Sequence, residues 1–147
     1  MAITTAQINT AIKTTLEAAA GLTRSQDFNE LTEGMADTPT LQVYFESWEA
    51  VETTTERSTM RGGVEQVSIV FHADVLGAPR GPDLGEEMAR LQPVVDQIID
   101  ILQAQKTKPY FGLVGIRAMH WSANRVLIDY NGELFIACRF IITIRVF

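Results

Sequence analysis

Leu134-Phe135-Ile136-Ala137-Cys138-Arg139-Phe140-Ile141-Ile142-Thr143-Ile144-Arg145-Val146-Phe147 is the stretch on which the reading of this chain turns. Leu134, Ile136, Cys138, Phe140, Ile142, Ile144 and Val146 all fall on one side of an extended chain. The intervening set, Phe135, Ala137, Arg139, Ile141, Thr143 and Arg145, is mixed. A period of two is the mark of a β-strand, whose successive side chains point to opposite faces. The first set predicts a core face, and the second predicts a face partly covered by a neighbour. The run is too short and too β-branched for a lipid-spanning helix, and two arginines interrupt it.

Working outward, Asn131-Gly132 is the preferred pair for a tight hairpin turn, so residues 125–130 and 133–147 read as paired strands. Residues 113–121 read as a further strand. Before them, Met88, Leu91, Val95, Ile98 and Leu102 follow helical spacing, with Val94, Ile99 and Ile101 widening the apolar face. Asp83 is placed to cap that helix, Glu86 and Glu87 suit its first turn, and Pro109 stops it. Gly77-Ala78-Pro79-Arg80-Gly81-Pro82 reads as a breaker.

Residues 41–53 and 64–76 alternate as strands. Leu41, Val43 and Phe45 alternate with Gln42, Tyr44 and Glu46, and Val67, Ile69, Phe71, Ala73 and Val75 oppose Ser68, His72 and Asp74. The polar stretch Thr53–Gly63 between them is too long for a two-residue turn and reads as the tip of a long, protruding β-hairpin. At the start, residues 4–20 read as a helix capped by Thr4 or Thr5, ended by Gly21, and striped by Ile8, Ile12 and Leu16. Residues 22–40 read as a long connection holding a short helical turn, with Phe28, Leu31 and Met35 as anchors. The expected order is α-β-β-α-β-β-β. That is one α+β domain over residues 1–147, a mostly antiparallel sheet with two main helices packed against it.

Composition narrows the function. The 147 residues carry 12 Lys+Arg against 18 Asp+Glu, a net charge of −6, which argues against a protein built to grip nucleic-acid phosphates. One cysteine excludes an intrachain disulfide and a multi-cysteine zinc site, and a reducing compartment is the expected setting. Met1–Ala20 lacks the basic head and apolar core of a secretory signal, and no apolar run is long enough to span a membrane.

The charge is uneven. From Asp27 to Glu56 the chain carries eight acids, Asp27, Glu30, Glu33, Asp37, Glu46, Glu49, Glu52 and Glu56, and no base. This is either a solvated face or a surface that must not adhere to a passing polyanion. Glu46, Glu49 and Glu52 near Trp48 are the carboxylates nearest to an acid–base arrangement, but nothing in the spacing fixes a pair across a cleft. His72 and His120 lack a third ligand at metal spacing, and Cys138 falls on the core face. Gly112-Leu113-Val114-Gly115 lacks the Lys-Ser/Thr ending of a phosphate loop. No catalytic, metal or cofactor site is expected. Polar protrusions on a packed domain suit a subunit that orders them against its neighbours.

Pro39-Thr40-Leu41-Gln42-Val43-Tyr44, the long hairpin, the helix Met88–Leu102, Tyr130-Asn131-Gly132-Glu133-Leu134-Phe135 and the terminal strand Phe140–Phe147 together carry a resemblance. In element order and size the chain is similar to the tail terminator (tail completion) proteins of tailed bacteriophages, the group that contains the lambda U protein. The resemblance implies a structural virion protein at the head–tail junction, without enzymatic activity, formed in the host cytoplasm during assembly. It implies a hexameric ring that caps the tail tube protein, ends tube polymerisation and docks the head-side connector or stopper. Double-stranded DNA would pass through the ring transiently, along a channel faced by the eight acids above. The hairpin residues Thr54, Glu56, Arg57, Thr59, Met60 and Arg61 would reach a neighbouring subunit or the tube. The alternatives are another neck protein, adaptor or stopper, and a small enzyme or ligand-binding α+β domain using Glu46, Glu49 or His120.

Overall fold

Thr4 opens the first helix, α1 (Thr5–Leu16), with a reciprocal cap. Its hydroxyl accepts from the Gln7 amide at 3.1 Å, while the Gln7 side chain accepts from the Thr4 amide at 2.9 Å. The remaining elements are β1 (Arg24–Asp27), β2 (Thr40–Val51), β3 (Gln66–Pro79), α2 (Leu84–Ala104), a 3-10 turn (Tyr110–Gly112), β4 (Ile116–Tyr130) and β5 (Glu133–Val146). The structure, a computed structural model, describes residues 3–27, 39–51, 66–79, 84–130 and 133–146.

The five strands form one sheet in the order β1-β2-β3-β5-β4, parallel at β1–β2 and antiparallel elsewhere. The α+β fold with a mostly antiparallel sheet and two helices is therefore present. Both helices contribute to one core: Ile8, Ile12 and Leu16 of α1 and Leu91, Val94, Ile98 and Leu102 of α2 are buried with the same alternating set of the sheet. Ile136, Cys138, Phe140, Ile142, Ile144 and Val146 of β5 belong to that core, as their period of two requires. Leu134, in phase with them, stays exposed. The opposite face is itself partly apolar, with Leu76, Phe135 and Ala137 buried together against Val126 and Ile128.

Four expectations are corrected. The first helix ends at Leu16 rather than at residue 20. Residues 24–27, expected within a connection, form β1, whose parallel pairing runs Arg24↔Thr40 to Asp27↔Val43. The short polar segment RSQD has none of the alternation that marks a strand, and its pairing is set by β2. Gly77-Ala78-Pro79 does not break β3 but ends it, past a register shift between Leu76 and Pro79. A Cβ on Gly77 would lie 3.3 Å from Leu91 and from Ile136, so the glycine admits α2 close to the strand. Finally, the two strands expected at 113–121 and 125–130 are one continuous β4, preceded by the 3-10 turn. The order is thus α-β-β-β-α-β-β, with β1 gained and the β4 break removed.

Among the described residues β2 and β3 pair antiparallel as far as Val51↔Gln66; the protruding hairpin tip expected at 53–63 lies outside the described residues, as do Asp83 and Asn131-Gly132.

Gly21 has φ +93°, a conformation that side chains disfavour, and a Cβ there would sit 2.9 Å from Val94 Cγ2. Gly21→Ala is expected to destabilise the fold by about 1–3 kcal/mol, read as a lower urea midpoint at unchanged slope.

Candidate functional site

A charge inside an apolar strand has to find a partner, because a buried lone carboxylate is too costly to keep. Asp74 in β3 is fully buried on the sheet face opposite the helices. The register places it between Gln42 of β2 and Arg139 of β5. Arg139 donates from Nε to Asp74 Oδ1 at 2.9 Å and from Nη2 to Oδ2 at 3.2 Å, a two-pronged pair. Tyr44, two residues along β2 from Gln42, donates its hydroxyl to Asp74 Oδ2 at 2.9 Å and accepts from Arg139 Nη2 at 3.2 Å. His72 Nδ1 lies 3.3 Å from the same hydroxyl and 3.7 Å from Glu46 Oε2. The imidazole and the Tyr44 ring meet edge to face, 5.4 Å between centroids.

The electrostatics follow from burial. Burial and the Asp74 charge push the Tyr44 phenol well above its usual range, so it remains a neutral donor. Burial first, then the Arg139 charge, lower the His72 pKa from 6.5, against a smaller opposing pull from Glu46 and Asp74. The hydrogen bond to Asp74 raises Arg139 further. Cys138, on the core face, is raised by burial and by Asp74. The cluster ties together three adjacent strands. Three of its four lone-pair directions on Asp74 are occupied by Arg139 and Tyr44, which makes it a register lock.

A second feature lies on the helix-bearing face. Phe45 and Trp48 pair in register with the buried Phe71 and Ile69, on either side of a bulge in β2. Trp48 nevertheless remains 66% exposed, and its ring lies 5.0 Å from that of Phe45. The two rings, with Thr5, Val67 and Ile69, line an apolar pocket of about 430 Å³. This volume is in the range of sites that take an apolar group.

Of the eight acids singled out in the sequence, Glu46 and Glu49 lie exposed on β2, Glu46 beside His72. The backbone of Asp27 ends β1 opposite Val43. Glu30, Glu33, Asp37, Glu52 and Glu56 lie outside the described residues, as do Thr54, Arg57, Thr59, Met60 and Arg61. His120 is exposed on β4, opposite Thr143 of β5. Sequence reading placed His72 and Asp74 on one face but missed their link to Tyr44 and Arg139. The available signal was an acid and a base, Asp74 and Arg139, each set among apolar neighbours in the middle of a long strand.

Among the described residues, no group of three His, Cys, Asp or Glu side chains is placed to hold a metal ion, and no helix is long and apolar enough to cross a membrane. No protein-family model and no curated protein matches the chain.

Arg139→Met strands the Asp74 carboxylate and is expected to cost about 3–5 kcal/mol, while Asp74→Leu/Arg139→Met recovers most of it, as denaturant unfolding measures. For His72 the folded pKa is lowered, so the unfolded chain binds the proton more readily. The stability that the neutral ring contributes is present above pH 6.5 and is lost as pH falls through the folded value. The thermal midpoint should therefore drop between pH 7.5 and 5.5 by more in the wild type than in His72→Gln.

Proposed function

We propose that this chain is a structural subunit of the head–tail junction of a tailed bacteriophage. It assembles into a ring that caps the tail tube, ends its growth and offers a docking surface to the head-side connector. The observation that supports this reading most directly is the exposed Phe45–Trp48 surface. A domain that buries its alternating apolar residues so completely leaves Trp48 open, beside an apolar hollow, at one corner of the sheet. An exposed apolar patch of this kind fits an assembly contact.

The charge pattern supports the same reading. Glu46 and Glu49 stand exposed on β2, within the acid-only stretch from Asp27 to Glu56. An acidic bore repels the DNA phosphates and leaves the duplex free to slide, where a basic one would bind it tightly. The register lock at Asp74 suits a part that has to be stiff, because a ring closes only if every subunit repeats the same angle.

Native mass spectrometry is expected to find a species near six times the 16.3 kDa chain mass, alone or on tail tubes. Added to growing tubes, the protein should halt elongation, an effect that separates a terminator from an adaptor or stopper. Trp48→Ser should weaken assembly at least tenfold and leave the unfolding midpoint within about 0.5 kcal/mol of wild type. A strictly monomeric protein that leaves tube growth unchanged refutes the reading.

A further inference from the structure

β2 carries one residue more than its ladder with β3 needs. Phe45 pairs with Phe71 and Ser47 with Val70, so Glu46 is the extra residue of a bulge between them. Its half-exposed carboxylate lies on the sheet face opposite the helices, where Oε2 is 3.7 Å from His72 Nδ1, beyond hydrogen-bond range. Phe45 and Trp48 flank the bulge on the helix-bearing face, opposite Phe71 and Ile69. One irregular step in β2 therefore joins a titratable pair on one face to an aromatic pair on the other.

A count of protons fixes the state of the imidazole. The Tyr44 hydroxyl has one proton, and it goes to Asp74 Oδ2 at 2.9 Å. One lone pair of the same oxygen accepts from Arg139 Nη2 at 3.2 Å. His72 Nδ1 approaches that oxygen at 3.3 Å and meets a lone pair, so Nδ1 has to be the donor. The neutral ring is thus the Nδ1–H tautomer, and Nε2 is the nitrogen that takes the next proton.

Among the described residues, the groups that face this ring are Tyr44 and Glu46 from β2, Asp74 on its own strand and Arg139 from β5. Asp74 is already engaged by Arg139 and Tyr44. An imidazolium is repelled by Arg139, which holds the Tyr44 oxygen from the other side, and is attracted by Glu46. We infer that His72 and Glu46 form a proton-operated latch: a proton taken up at Nε2 transfers the Nδ1–H contact from Tyr44 to Glu46, draws the bulge residue in, and re-aims Phe45 and Trp48 on the far face. The neutral ring ties β3 to β2 through Tyr44, and the charged ring ties them through the bulge. A bulge suits this role because its extra residue stands outside the regular ladder and sets the direction of its neighbours. Burial and the Arg139 charge lower the His72 pKa from 6.5, so the latch engages only on acidification below that value. It does not depend on the ring reading.

The test is an NMR titration of the full chain, which reads both ends of the latch in one sample. The chain has two histidines and two tryptophans, so His72→Gln and Trp48→Phe assign the signals. At about pH 8 the ring nitrogens of His72 should show the proton on Nδ1. A proton on Nε2 instead overturns the tautomer and the latch with it. As the pH is lowered to about 5, the Trp48 indole N–H signal should move along one sigmoid that shares the His72 midpoint, below 6.5. In Glu46→Ala, a change at an exposed side chain, His72 should still titrate, at a lower midpoint because an attracting carboxylate is gone, while the Trp48 step is lost. His72→Gln should abolish the Trp48 step as well. A Trp48 signal that stays still while His72 titrates overturns the latch, as does an undiminished step in either variant.

Discussion

The carboxylate of Asp74 is the constraint around which the sheet is organised. It sits in β3, the middle strand of five, with no exposed surface, and its charge is tolerable there only because Arg139 reaches across from β5 and Tyr44 from β2. Such a pair contributes little net stability compared with an apolar replacement, since desolvation cancels most of the attraction. Its value is in specificity. Slipping β5 by one residue against β3 would turn Arg139 to the core face and Phe140 to the other, losing the guanidinium and the core aromatic together. The ion pair and the apolar alternation therefore select the same register by independent means.

That coincidence explains why the central sheet could be read from sequence. The alternation in β3 and β5 is long, and each residue on one face reinforces the same choice, so the core positions from Ile136 to Val146 follow from period alone. The stripe Ile8–Ile12–Leu16 and the helix around Ile98 were legible for the same reason. What escaped was structure decided by partners. β1 is four polar residues held by β2. Gly77 looked like punctuation, but its missing side chain makes room for Leu91. In β4 the expected gap lay at Ser122–Asn124, polar and small residues whose place in the strand is fixed by Ile141, Phe140 and Arg139 on β5. Of the candidate site, the polar positions could be assigned to a face, but their convergence on Asp74 depends on a register across three strands that no local pattern contains.

The two faces of the sheet have different physical roles. The helix-bearing face is filled by α1 and α2 over its middle and left bare at two diagonal corners. The helices are too short to cover strands of 12 to 15 residues: α1, at 12 residues, spans about 18 Å, while a 15-residue strand spans about 50 Å. Strand ends that outrun the helices must expose whatever lies on that face. Here they expose Trp48 at one corner and Leu127 with Leu134 at the other.

Rigidity connects these features. In the ring proposed above, a contact at the far end of a strand would transmit any twist of the sheet into the angle between subunits, so a sheet that flexed would not repeat one geometry. The Asp74 cluster lies midway between the two corners, on the face the helices leave uncovered, where it joins β2, β3 and β5 by side-chain bonds in addition to the backbone ladder. On that face, where neither α1 nor α2 packs, a hydrogen-bonded ion pair adds to the small apolar cluster of Leu76, Phe135 and Ala137 in holding the strands. The chain thus places this costly polar network where loss of register would disturb both corners at once.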